Sequence, residues 1–565
     1  MLNPRLSLHK LLTLAGTFSA SVVFGQPTFQ PIAFNGEQAP GFDPGVTLSN
    51  LSSSSLAASD NGNAVFRAFA SGQGNVLFHV SPSGEVQPYL QENTQAPGLP
   101  VDVNLSTIQV PRAVVNDSGE VVFTGRLNGT GVTTLNNRHA IFAGDESGFR
   151  AVARGDDAVP GSPTLALGSI YNDYTQFNNA GHAAFWCQLA TPSLNGIIMS
   201  EGDGQGLRSV ATKNEQVPGM PVGTTFQFFL GNTLNIDDAG RTSFISEIEL
   251  DTGSHRYAVI REDESGVPMV VAQERAPIPG HPATTEFYDF GVFSPKANTA
   301  GDYALTTDII EDGVGSHAVC LIQDAVGISI VARTGETAPG LPQGVTYAWF
   351  HDGAEALALN NTGRVAFVAA LEGTGVNLDN RYALFAETGE SGPVMIARDD
   401  DHATGHPAGT YFDAVTSSRI RFNDSNQLAF IITLSDGTDS FKGLYATDEF
   451  GVLHHVISEG DTIDLDPDPV QTNPVTITRL DNLELANSGE LLIAVVTSES
   501  RGLIKYSGVI PCLPDTNHDG VVSPADFSAW VAAFNASAPE CDQNGDGSCS
   551  PADFSAWVAN YNAGC

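Results

Sequence analysis

Between residues 26 and 510 the chain alternates short apolar runs with turn-forming punctuation. The runs are five to eight residues long, rich in Val, Ile, Phe and Tyr, and bounded by Gly, Asn, Asp and Pro. That length and composition predict strands and not helices. One element recurs in register: "NDSGEVVF" ending at Phe123, "NNAGHAAF" at Phe185, "DDAGRTSF" at Phe244 and "NNTGRVAF" at Phe367, all of the form N-x-x-G-x-x-x-F. Weaker copies end at Phe66, Leu305, Phe430 and Ile493. The fourth positions fall at Gly62, Gly119, Gly181, Gly240, Gly301, Gly363, Asn426 and Gly489, in steps of 57 to 63 residues. So regular a period signals a repeat architecture. Asn and Gly tolerate the positive φ of a tight turn, and the Phe that follows is placed to enter a core between sheets.

Each unit continues with a second apolar run ("RHAIFAG", "RYALFAE"), a third ("RAVARGD", "SIVARTG") and a Pro-Gly turn at Gly98, Gly161, Gly219, Gly280 or Gly340. A variable aromatic stretch such as "TTFQFFLG" or "VTYAWFHDG" then precedes the next N-x-x-G. Four strands per unit, repeated radially, predict a mainly β fold, a β-propeller. Eight copies give eight four-stranded blades, or seven if one degenerate copy is not a blade. The last unit supplies "GELLIAVVT" and "RGLIKYSG" and stops one strand short, while Pro27–Gly41 reads as the missing strand with its Pro-Gly turn. The start of the body is therefore expected to complete the last blade and close the ring, which removes sheet edges.

The ends of the chain differ from the body. Arg5, His9 and Lys10 precede the apolar stretch Leu11–Gly25, so residues 1–25 read as an export signal cleaved near Gly25–Gln26. No later segment is apolar enough to span a bilayer. An extracellular or cell-surface location follows. At the other end, residues 515–535 and 542–562 are near-copies offset by 27 residues. Asp515, Asn517, Asp519, Val521 and Asp526 fall at positions 1, 3, 5, 7 and 12 of a loop, as do Asp542, Asn544, Asp546, Ser548 and Asp553. Gly520 and Gly547 supply the turn at position 6. Alternating oxygen donors with a closing carboxylate make an EF-hand-type pattern, so two calcium ions are the expected cofactors.

This duplicated tail, residues 511–565, resembles a dockerin domain, more narrowly the tail of secreted planctomycete-like proteins that ends in Gly-Cys, as Gly564-Cys565 does here. The resemblance implies a small α-helical unit that anchors the protein through a cohesin-like or other surface partner. Loop positions 10 and 11 carry Pro-Ala where cohesin-reading dockerins have Ser or Thr, which favours a partner of another type. The body resembles N-x-x-G-x-x-x-F tandem-repeat proteins that carry assorted C-terminal anchors. The residues agree with the tail assignment. Ser523 and Ser550 sit at helix N-caps, Pro524 and Pro551 at the first helical position, and Asp526 and Asp553 at the third. Phe527, Trp530, Val531 and Phe534, repeated as Phe554, Trp557, Val558 and Tyr561, form matching helical stripes. Mutual burial of the stripes is favoured over a partner-docking face. Position in the tail suggests a Cys512–Cys565 clasp and a Cys541–Cys549 bridge. Cys187 and Cys320, in non-adjacent units, are expected to be unpaired and buried.

The formal charge of −39 argues against nucleic acid and anionic membranes as partners. The body contains no H-E-x-x-H, G-x-S-x-G, phosphate-binding glycine loop or C-x-x-C. Acids recur before the Pro-Gly turns (Glu37, Asp157, Glu215, Glu336, Asp401) and read as turn residues in preference to a catalytic or cation-holding ring. His281 and His406, which follow such turns, read as ordinary loop positions. With only Trp186 and Trp349 in the body, no sugar-stacking platform is expected. These features favour a non-enzymatic binding or structural protein, its propeller open to a glycan or protein ligand. The alternative is a secreted glycoside hydrolase or lyase on the same scaffold.

Overall fold

The computed structural model describes residues 28–507, short loop segments aside, and in the tail two helices with a few flanking residues. Export signal and cleavage site lie outside the described residues. The body forms eight antiparallel sheets. The inner strands, which contact one another around the ring, begin at Leu48, Val103, Leu167, Thr225, Thr285, Val345, Tyr411 and Pro474; blades 1 to 8 are numbered in that order. Eight apolar clusters bury the molecule's core, and each is shared by two consecutive blades, including blades 8 and 1. That count fixes a closed ring of eight.

The expectation of four strands per blade needs a correction. Blades 1, 3, 4 and 7 have four, and the other four carry a short fifth. In blade 6 the inner strand is broken between Phe350 and Leu357, and in blade 5 the pieces Thr285–Phe290 and Lys296–Ala297 both pair with the strand Tyr303–Glu311. In blades 2 and 8 a two- or three-residue piece (Thr94–Gln95, Thr462–Asp464) pairs with the inner strand. Ring closure occurs at blade 8. Thr28–Phe34 pairs with Arg501–Ser507, from Thr28 opposite Ser507 to Phe34 opposite Gly502, and forms the outer strand of that sheet.

The turn that follows each inner strand explains the repeat. Its glycines have φ between +77° and +90°, and Asn426, the one non-glycine at that position, has +60°. The first Asn folds its side chain back on the turn: Oδ1 of Asn178 accepts the N–H of Ala180 and His182 at 3.1 and 2.8 Å. Its amide then crosses to the next blade, as Asn116→Asn178 O, Asn178→Asp237 O, Asn298→Asn360 O, Asn360→Asn423 O and Asn423→Ala486 O. Where the first residue lacks an amide, a neighbour substitutes. Asn235 bonds Asn298 O beside Asp237, and Asn61 and Asn63 bond Asp117 O beside Ser59. From blade 8 to blade 1 the Asn487 N–H donates to Asp60 O at 2.6 Å. The fourth-residue-on Phe (Leu305 and Ile493 included) is at most 1% exposed in all eight blades.

In the tail, Pro524–Ala536 and Pro551–Ala563 are helices. Ser523 Oγ accepts the Ala525 N–H while Asp526 accepts the Ser523 N–H at 2.7 Å, and Ser550, Ala552 and Asp553 repeat the arrangement. The stripes face each other: Phe527–Trp557 and Trp530–Phe554 ring centroids are 5.2 and 5.5 Å apart. Both Trp side chains are buried, but Phe527, Val531, Phe554 and Val558 remain 37–44% exposed, leaving an apolar edge. Cys541 and Cys549 are bonded, and Cys187 and Cys320 are free and buried. Cys512 and Cys565 lie outside the described residues. No helix among the described residues is long and apolar enough to cross a membrane.

Candidate functional site

The inner strands run in the same direction through every blade, so the ring has two distinct ends. At the end marked by the N-x-x-G turns, the second turn residues crowd together: Asp60, Asp117, Asn179, Asp238, Thr299, Asn361, Asp424 and Asn487. They are linked by bonds such as Asn361 N–H to Asp424 Oδ1 (2.7 Å) and Asp424 N–H to Asn487 Oδ1 (2.9 Å). Asn361 Nδ2 also reaches Asp60 Oδ2 at 2.6 Å, tying blade 6 to blade 1. Burial, then the charges of Asp424, Asp117 and Asp238, push the Asp60 carboxyl up to about 6, against the Asn361 bond. Because the folded state raises this pKa, the penalty is absent below about pH 4 and grows as pH rises through about 6. Asp60→Asn keeps the acceptor and removes the charge. It should stabilise the protein by about 1–2 kcal/mol at pH 7.5, and by nothing measurable at pH 4, in paired thermal melts. Equal stability at both pH values would contradict this assignment.

Three of the five acids before the Pro-Gly turns cap their turns. Glu37, Asp157 and Glu336 accept the N–H of Phe34, Arg154 and Arg333 at 3.1, 2.7 and 3.1 Å. Burial raises the Glu37, Asp157 and Asp401 carboxyls. His281 and His406 are loop residues, bonded to Ile328 O and Ser458 Oγ. Among the described residues no group of three or more His, Cys, Asp or Glu is arranged to hold a metal ion. A small hollow between blades 8 and 1 is lined by residues including Val80, Pro82, Leu491 and Lys505, and Lys505 pairs there with Glu490 at 2.7 Å.

The opposite end, where the inner strands begin, carries a feature that sequence reading missed. Early in the inner strands of blades 2 and 4 to 8 the ladder slips by one residue, in blades 4, 5 and 6 between Phe226/Phe228, Phe287/Asp289 and Tyr347/Trp349. In blades 4, 5 and 6 an aromatic residue at or next to the slip is turned outward. Phe228, Tyr288 and Trp349 are 53%, 40% and 49% exposed, while Phe226, Phe287 and Tyr347, just before them, are buried. Three consecutive blades therefore present one large ring each at the same end of the propeller. The expectation about stacking counted Trp186 and Trp349 alone and left out Phe228 and Tyr288. The visible signal was an extra aromatic breaking the alternation in "TFQFF", "FYDF" and "YAWF".

Polar groups surround this row. The His317 ring stacks under Trp349, with centroids 3.8 Å apart and planes 15° from parallel. Its Nδ1 accepts the Phe350 N–H at 3.3 Å, which leaves the proton on Nε2. Burial lowers the pKa of this imidazole, against the pull of Asp308 and Asp352. Tyr257, one blade earlier, occupies the equivalent position before Ala258 as His317 does before Ala318. Burial, then Glu247, Glu274 and Asp289, raise its hydroxyl. The Arg275 guanidinium lies 4.3 Å over the Tyr288 ring, and His255 pairs with Glu247 at 3.1 Å.

Of the expected calcium ligands, Asp526 and Asp553 are described, each wholly buried at the third position of its helix. Asp515, Asn517, Asp519, Val521, Asp542, Asn544, Asp546 and Ser548 lie outside the described residues.

Among solved structures, the propeller is similar to the polysaccharide lyase Uly1, with 9% identity over 74% of this chain and 98% of that one at a TM-score of 0.32. It is also similar to a PL25 ulvan lyase, with 10% identity over 85% and 95% at 0.27. A third likeness is to PorZ, a surface component of the type-IX secretion system of Porphyromonas gingivalis, with 12% identity over 80% and 57% at 0.27. These likenesses concern fold. No curated protein matches the chain. Residues 12–195 and 167–491 match DUF7453, and the chain belongs to that family, whose function is unknown.

Proposed function

We propose that the protein is an exported polysaccharide-binding propeller whose ligand lies across Phe228, Tyr288 and Trp349. The supporting observation is that three adjacent blades each expose one aromatic ring at the same end of the propeller. Flat rings suit the apolar C–H face of a sugar, and carboxylates at their margins suit its hydroxyls. Two of the solved structures named above are polysaccharide lyases, but at those TM-scores the likeness adds nothing to this reading. It stands on the residues of this chain. Trp349→Ala should weaken retention on the polysaccharide that binds best in a pull-down by at least about tenfold, the scale of one well-packed anchor. It should leave the melting temperature nearly unchanged, since the ring is half-exposed. Unaltered retention would remove the row from the binding site.

A second reading, cleavage of the bound chain, is favoured by one observation. His317 and Tyr257, both capable of moving a proton, hold equivalent positions in adjacent blades beside the row. Under this reading products accumulate from the retained polysaccharide, and His317→Ala abolishes them while retention persists. Absence of products from the wild type would leave binding as the function.

The tail completes the proposal as a calcium-dependent anchor. Asp526 and Asp553 fit the loop-closing position: each is wholly buried, and each binds a helix-start N–H as well. Asp553 accepts the Gln543 N–H at 3.0 Å too, which ties the second loop to its helix. The exposed apolar edge at Phe527, Val531, Phe554 and Val558 is the candidate face for a cohesin-like or other surface partner. Calcium should raise the melting temperature of the tail transition in the full mature chain, and chelator should lower it. A melt indifferent to both would exclude calcium.

A further inference from the structure

The groups flanking the aromatic row carry information about which polysaccharide fits. Glu247 stands opposite Phe228 in the ladder, Asp289 follows Tyr288, and Asp308 stands opposite Asp289. Asp352 lies three residues beyond Trp349, and Glu274 immediately precedes Arg275. Of the cations of the same region, His255 pairs with Glu247 and Arg275 lies over the Tyr288 ring. Arg256 bonds the His255 carbonyl at 2.6 Å, and Lys213, in the place that Glu274 holds one blade on, has no carboxylate partner among the described residues. A little farther out, Arg333 is paired with Glu311. Burial raises the Tyr257 hydroxyl first, and Glu247, Glu274 and Asp289 raise it further.

Resting on the polysaccharide reading above, we infer that the ligand of the Phe228–Tyr288–Trp349 row is an uncharged polysaccharide. A uronate or sulfated chain would bring an anion every one or two sugars against these carboxylates, inside a molecule of formal charge −39. Recognition of such anions normally calls on Arg or Lys clamps. Here Arg275 is stacked on Tyr288 and Arg333 is paired with Glu311, and the remaining described cations near the row, Arg256 and Lys213, are outnumbered by its acids. Neutral sugars meet no such cost. Their C–H faces lie on the rings, and their hydroxyls donate to Asp289, Asp308 and Asp352, which accept and cannot donate when ionised.

The test uses the mature chain, residues 26–565, and its Trp349→Ala variant. Retention is measured on neutral polymers (β-1,3-glucan, xylan, galactomannan) and on anionic ones (polygalacturonate, alginate, ulvan), each at 50 and 500 mM NaCl. The expected result is Trp349-dependent retention on at least one neutral polymer, changing less than about threefold with salt, and none on the anionic set. Trp349-dependent retention on an anionic polymer alone would overturn this inference and leave the polysaccharide reading intact. Retention on no polymer, or retention indifferent to Trp349→Ala, would overturn the reading and the inference with it.

Discussion

A mature chain lacking residues 28–34 is expected to lose the cooperative fold of the propeller. Those seven residues are the outer strand of blade 8, laid along Arg501–Ser507. Ala33 and Phe34 are buried in two different inter-blade clusters, so their removal opens both. Phe34 also covers Gly502, where a Cβ would collide with its ring. Losing one buried Phe costs about 3–5 kcal/mol. An unpaired edge on blade 8 adds a route to aggregation. The sum is of the order of a whole domain's stability, about 5–15 kcal/mol. The deleted chain should elute as aggregate and show no sharp melt, whereas a melt within a few degrees of the intact chain would show that closure is dispensable.

Phe367→Ala should destabilise the body by about 3–5 kcal/mol, because the ring is removed from a core that cannot collapse around the gap. Phe367 is 1% exposed and lies 5.5 Å from Phe350, 5.7 Å from Phe385 and 6.0 Å from Tyr347, between centroids. The same slot is filled in every blade, so the substitution tests the repeat and not one site. Urea unfolding of the two proteins checks it. A change under about 1 kcal/mol would mean that the slot tolerates a void.

The contrast between these positions and the aromatic row shows what was readable in the chain. N-x-x-G-x-x-x-F recurs because each residue has a local task visible in composition. The Asn folds back on its turn and bonds the next blade, the Gly takes positive φ, and the Phe enters the core. Asn426 kept the pattern legible where Gly is missing, since Asn also adopts that conformation. Closure by residues 28–34 was legible because the last unit lacks a strand. The helix starts at Ser523 and Ser550 carry their own capping residues.

Registers were not legible. A bulge is set by pairing with the neighbouring strand, and sequence spacing alone does not show which of Phe226 and Phe228, or of Tyr347 and Trp349, turns outward. The fifth strands were missed for a related reason. The break in the blade 6 inner strand after Phe350, and the added pairing of Thr94–Gln95 and Thr462–Asp464, are set by pairing with the neighbouring strand and not by local propensity. The proposed ligand site lies in that unreadable part. Its rings occur in ordinary strand sequences and become a row only when three blades stand side by side.

Hydrogen–deuterium exchange of the mature chain, with and without a saturating amount of the best-retained polysaccharide, addresses the site most directly. Slower exchange should be confined to peptides covering residues 225–230, 285–290 and 345–352, with the start of the strand at 314–323. Peptides from the N-x-x-G end and from the two tail helices should exchange at unchanged rates. Protection centred on residues 59–63, 116–120 and 423–427, or on the tail, would place the ligand elsewhere and contradict a site on blades 4 to 6.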